Sequence, residues 1–180
     1  ENLNVKTKNL AKLGLMAAIS VVLVLLVHFP LFPAAPFLEY DPADVPIFIT
    51  GFALGPAAGF MLTVGASVLQ GSTVSSASGI YGIIMHIIAT GSYVLVSGNI
   101  YKRNKTKKGA AIAMMAGTIT WVLVMIPANL IITPAFTGAP VEVIKSLLLP
   151  AIIPFNIIKA GANSIITMLI YKRISPFLHR

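Results

Sequence analysis

The chain has 180 residues, enough for one compact domain and short for two. Apolar residues make up 57% and charged residues 10%, with a mean hydropathy of +0.89. A soluble globular domain carries about 25% charged residues, so this composition belongs in a lipid bilayer. There is no cysteine, which excludes a disulfide framework and a thiolate metal site. The three histidines (His28, His86, His179) show no ligand spacing, so no metal centre is expected.

The net charge is +8, a value that in a soluble protein would suggest nucleic acid. The positions of the charges argue otherwise. Lys6, Lys8 and Lys12 form one cluster, Lys102, Arg103, Lys105, Lys107 and Lys108 a second, and Lys172, Arg173 and Arg180 a third. All three flank apolar runs, so membrane topology explains them and no nucleic-acid partner is expected.

Spanning a ~30 Å hydrocarbon core takes about 20 helical residues. Apolar windows fall at about 9–29, 44–60, 61–72, 78–101, 109–133 and 147–171, within a single membrane domain. The first lacks a small-residue cleavage site and reads as a retained helix, not a signal peptide. "LGPAAG" (54–59) separates the second and third and predicts a helical hairpin. Placing all three basic clusters on the cytoplasmic side requires an even number of crossings between them. The expectation is therefore an all-α membrane protein with six transmembrane helices and both termini cytoplasmic.

Three loops then face outward. The first, "FPLFPAAPFLEYDPAD" (29–44), is stiffened by prolines and is a candidate lid over a pocket at 30–43. It places Glu39, Asp41 and Asp44 at the outer rim. The second is "QGSTVSSASG" (70–79) and the third "TPAFTGAPVEVIKS" (133–146).

No phosphate-binding loop, zinc-protease motif or nucleophile elbow occurs, so the chain is not read as an enzyme. With the acids confined to the rim, proton- or sodium-coupled transport also lacks its usual intramembrane carboxylate. Lys159 is the single charge well inside a predicted span. Insertion costs such a residue about 2.5–3.5 kcal/mol, which makes it a functional-site candidate; snorkelling to an interface is the alternative.

Asn156 and Lys159 share a helix face at i and i+3, and Asn163 continues it. Asn129 in "PANLIITP" is expected at similar depth. Two carboxamides and an ammonium could together read the edge of a planar, carbonyl-rich ligand; the alternative for each Asn is interhelical hydrogen bonding. His86 reads as a hydrogen-bonded packing residue. Tyr81 could stack on a ligand, whereas Tyr40, Tyr101 and Tyr171 fit interfacial belts. Ala11, Gly14 and Ala18 form a small-residue stripe on the first helix, suited to close helix approach within the protein or with a partner.

The stretches "FPLFPAAPFLEYDPADVPIFITGFALGPAAG" (29–59), "YKRNKTKKGA" (101–110), "PANLIITP" (127–134) and "IIPFNIIKAGANSIITMLIYKRI" (152–174) resemble the S components of energy-coupling factor (ECF) vitamin transporters. Within these they resemble the riboflavin-specific RibU family. The likeness runs from about Lys8 to Leu178, although residues 70–91 depart from the family pattern. It implies a six-helix subunit in a prokaryotic cell membrane that binds riboflavin as cargo, with no cofactor. Asn129, Asn156 and Lys159 would contact the flavin ring, and Phe37, Leu38, Tyr40 and Tyr81 would cover it. It further implies a transmembrane coupling protein and two ABC-type ATPases as partners, docking on Ala11, Gly14 and Ala18. Another vitamin or flavin analogue, or a solitary carrier, are the alternatives.

Overall fold

The computed structural model describes residues 2–178, with side chains for 4–173. The first helix, α1, runs Asn2–Leu26 and buries only a narrow stripe, Ala17, Ser20 and Val24, against α2 and α3. The Ser20 hydroxyl donates to the Ala43 carbonyl at 2.6 Å and fixes α1 to the start of α2. The helix stops short of the expected residue 29 because Phe29–Pro30 (β1) pairs antiparallel with Glu39–Tyr40 (β2). This two-residue ladder is a small departure from an all-α chain. Between its strands, Ala35 and Leu38 are buried in a cluster with Ile144, Ala151, Ile152 and Phe155. The 29–43 segment is thus a packed cap with its own apolar core.

Helices α2 (Asp44–Leu54) and α3 (Pro56–Ser72) form a hairpin with its break at Gly55, within the 54–59 stretch expected to turn. Gly55 has φ +95°, a left-handed conformation that costs glycine little, and Pro56 follows at a helix start where its missing N–H is harmless. The two helices meet backbone to backbone: a Cβ at Gly59 would lie 2.9 Å from the Gly51 Cα.

Helices α4 (Gly79–Arg103) and α5 (Lys107–Thr137) make the broadest contact in the chain. Thr106 caps α5, its hydroxyl oxygen accepting the Gly109 N–H at 3.0 Å. The core between α2, α4 and α5 is aromatic. Phe48 stacks on Tyr93 with centroids 3.7 Å apart, and Tyr93 meets Trp121 edge-on at 6.3 Å.

The predicted third loop, 133–146, is mostly helix. α5 continues through Thr137, Gly138 closes it at φ +72°, and a short helix, α6 (Val141–Leu147), follows at once. A π-helical turn, Leu148–Ile152, then leads into α7 (Ile153–Leu178). Pro150 and Pro154 supply no N–H to the helical ladder here, and the Ile153 N–H reaches five residues back to the Leu148 carbonyl. This widened turn sits immediately before Asn156 and Lys159.

Among the described residues, four helical stretches are long and apolar enough to cross a membrane: 4–26, 79–103, 107–137 and 141–173. α2 is apolar but short. The C-terminal end of α3, the start of α4, the end of α5 and the start of α7 gather with the 29–43 cap at one end of the bundle. The Lys102–Lys108 cluster lies at the other. Lys172 and Arg173 are exposed near the end of α7, and Arg180 lies outside the described residues.

Candidate functional site

A cavity of about 180 Å³ opens beneath the 29–43 cap. The cap contributes Phe37, Leu38, Glu39 and Asp41, α5 contributes Trp121, Met125, Asn129 and Phe136, and α7 contributes Phe155, Asn156 and Lys159. The ends of α3 and α4 supply Ser67, Gln70, Tyr81, Met85 and His86, with Ser75 and Ser78 between them. Six of the seven residues singled out as ligand contacts therefore meet in one place: Phe37, Leu38, Tyr81, Asn129, Asn156 and Lys159.

Tyr40 is the exception. Phe37, Leu38, Glu39 and Asp41 around it line the cavity, and Tyr40 does not. Its hydroxyl donates to Asn163 Oδ1 at 2.9 Å, and its ring packs on Phe29 at 5.5 Å. Burial, then the neighbouring Asp41 and Asp44 charges, hold the Tyr40 phenol above its usual range, which keeps it a donor at neutral pH.

The two asparagines are buried and already half-engaged. Asn129 is 1% exposed; its Nδ2 donates to the Met125 carbonyl at 2.8 Å and its Oδ1 accepts from Thr133 at 2.8 Å. Asn156 is 2% exposed; its Nδ2 donates to the Ile152 carbonyl and its Oδ1 accepts from the Trp121 indole, both at 2.8 Å. A carboxamide has two N–H donors and two acceptor lone pairs. Each side chain is thus locked in orientation with capacity to spare for a ligand.

Replacing Trp121 by Phe would leave Asn156 Oδ1 buried without its donor, a cost of about 1–3 kcal/mol. The expected result is a lower melting temperature for Trp121→Phe. The double variant with Asn156→Leu should recover much of it, because removing both partners of a buried bond is nearly neutral.

Lys159 is paired with the cap. Its ammonium donates to Asp41 Oδ2 at 2.9 Å and to the Glu39 carbonyl at 3.3 Å, so it holds the cap down on α7. Asn163, one turn on, does the same with its Nδ2, donating to the Asp41 carbonyl at 3.0 Å and to Asp44 Oδ2 at 2.9 Å.

Asp44 corrects the expectation that the acids lie only at a rim. It is 0% exposed, at the first turn of α2. Its Oδ1 accepts from His86 Nε2 at 2.9 Å and from the Thr90 hydroxyl at 2.8 Å. His86 Nδ1 in turn lies 2.6 Å from the Ser67 hydroxyl. His86 is the hydrogen-bonded packing residue that was expected, and it also lines the cavity. Local spacing could not have found this network: Asp44 and His86 are 42 residues apart in sequence. Among the described residues, no group of His, Asp and Glu is arranged to hold a metal ion.

The small-residue stripe also has a place. Ala11, Gly14 and Ala18 all lie on the exposed face of α1, away from the stripe that packs inward. A Cβ built at Gly14 would meet nothing within 4 Å.

Fold and site together define a helical membrane protein built around a polar binding pocket, with the cap and three helix ends as its walls. Comparison with known proteins makes this specific. A family model described as the ECF transporter substrate-specific component matches residues 8–171. The chain belongs to that family; it is a transporter component and not an enzyme. It is 30% identical to the riboflavin transporter FmnP of Bacillus subtilis over 97% of this chain and 96% of that one. It is 28% identical to the riboflavin transporter RibU of Staphylococcus aureus over 97% and 94%. A solved S component of a bacterial ECF transporter superposes with a TM-score of 0.76 at 30% identity, covering 97% of this chain and 99% of that chain.

Proposed function

We propose that this chain is the riboflavin-binding S subunit of an ECF-type ABC transporter in a prokaryotic cell membrane. The observation that carries the reading is the convergence of Asn129, Asn156 and Lys159 on one cavity, in a chain whose near full-length relatives are named riboflavin transporters. The pyrimidine edge of an isoalloxazine alternates carbonyl oxygens with a ring nitrogen and an imide N–H. The spare amide N–H groups and lone pairs of Asn129 and Asn156, with the Lys159 ammonium, complement that edge. Phe37, Leu38, Tyr81, Phe136 and Phe155 offer apolar and aromatic cover for its faces.

In this reading six helices cross the membrane, with α6 and the π-helical turn as the outer approach to α7. The Lys102–Lys108 cluster and both termini are cytoplasmic, by the positive-inside rule, and the capped pocket opens outward. α2, at 11 residues, covers only about 16 Å. The cap would take up the remaining depth, which irregular backbone can do where it is enclosed by protein or lines a cavity.

Uptake would be driven by a coupling protein and two ABC-type ATPases, with α1 as the docking face. Its exposed Ala11, Gly14 and Ala18 would let a partner helix approach closely. The test is reconstitution in liposomes with and without an ECF module. Riboflavin accumulation is expected only with the module and ATP. Gly14→Leu should cut that accumulation several-fold while leaving flavin binding to the isolated subunit unchanged. Uptake by this chain alone would contradict the reading.

A further inference from the structure

Among the described residues, one buried side-chain polar atom lacks a hydrogen-bond partner: Nε2 of Gln70. Gln70 is 7% exposed, sits in the last turn of α3, and lines the cavity. Buried amides are almost always paired, and leaving one unpaired is costly. A donor held unpaired at a pocket wall is the signature of a group kept for a ligand. Its surroundings show which kind. The residues next in sequence that also line the cavity are Gly71, Ser75, Ser78 and Gly82, neutral and small, and the Ser75 N–H donates to the Gln70 carbonyl at 2.8 Å. The wall carries no Lys or Arg. The cavity's one ammonium, Lys159, belongs to α7 and is already paired with Asp41.

We propose that Gln70 is a specificity-determining residue that hydrogen-bonds a hydroxyl of the ligand's polyol chain. A carboxamide both donates and accepts, as a hydroxyl does, so the pair is complementary in either direction. The two ends of the pocket then read different parts of one molecule: Asn129, Asn156 and Lys159 the ring edge, Gln70 with Ser75 and Ser78 the neutral hydroxylated chain. This inference rests on the riboflavin reading above and adds the subsite for the ribityl group.

The experiment uses Gln70→Met, close in volume and apolar, with two probes: riboflavin, and lumiflavin, which carries a methyl group in place of the ribityl chain. Melting temperatures of the ligand-free proteins are measured alongside. Expected for Q70M are about tenfold weaker riboflavin binding, unchanged lumiflavin binding, and a melting temperature equal to or above wild type, since an unpaired donor has been removed. Riboflavin binding equal to wild type would overturn the proposal. So would an equal loss for both flavins, or a Q70M protein that melts lower or fails to fold, because the amide would then be a structural group. If the wild type binds lumiflavin and riboflavin equally well, the chain subsite is absent while the ring site stands. If the wild type binds neither flavin, the riboflavin reading fails first and takes the Gln70 assignment with it.

Discussion

Asp44→Ala is expected to be the most damaging single substitution in the chain, with unfolding or a large drop in melting temperature in detergent. The Asp44 carboxylate is fully buried and accepts from His86, Thr90 and Asn163. These partners come from α4 and α7, so one carboxylate fastens three helices. Removing it leaves two hydroxyl or amide donors and an imidazole without an acceptor. Each buried donor left without its acceptor costs about 1–3 kcal/mol, and three of them together approach a large part of the ~5–15 kcal/mol that holds a domain together. Asp44→Asn keeps an acceptor oxygen and should melt between the two. A thermal melt of the three proteins decides the point. Equal melting of wild type and Asp44→Ala would mean the network carries no stability.

The second large effect is expected at Lys159. Lys159→Ala should weaken riboflavin binding by about 10–100-fold, the worth of a charge-assisted hydrogen bond of roughly 1.5–3 kcal/mol. Two losses act together. On the proposed reading the ring edge would lose its cationic donor, and the cap loses its tie to α7, since Lys159 holds both the Asp41 carboxylate and the Glu39 carbonyl. Asp41→Ala separates them. It frees the ammonium but spares it for the ligand, so it should cost less in affinity and act mainly on ligand release. If Lys159→Ala and Asp41→Ala weaken binding equally, the lysine serves the cap and not the flavin.

Much of this arrangement was legible in the sequence. A lysine in an apolar run is too costly to be idle, and the 3.6-residue period alone put Asn156, Lys159 and Asn163 on one face. Prolines between 30 and 42 signalled a stiff, non-helical cap. The Gly–Pro pair at 55–56 marked the hairpin turn. Two things were hidden for physical reasons. The Asp44–His86 pairing depends on the packing of α2 against α4, which no local period encodes. The turn of Tyr40 toward Asn163 and away from the cavity depends on two residues of strand that were too short to stand out among the prolines. Gln70 entered the sequence reading only as the first residue of the polar 70–79 loop; its significance comes from its unpaired Nε2, which a sequence cannot show.

The central claim is tested most directly by one equilibrium titration of riboflavin into the purified wild-type protein, followed by flavin fluorescence. The account predicts saturable, one-to-one binding that quenches the flavin as its ring enters the aromatic-lined cavity. A folded protein that leaves riboflavin fluorescence unchanged across the titration, and shows no stabilisation by riboflavin in a thermal melt, would contradict it.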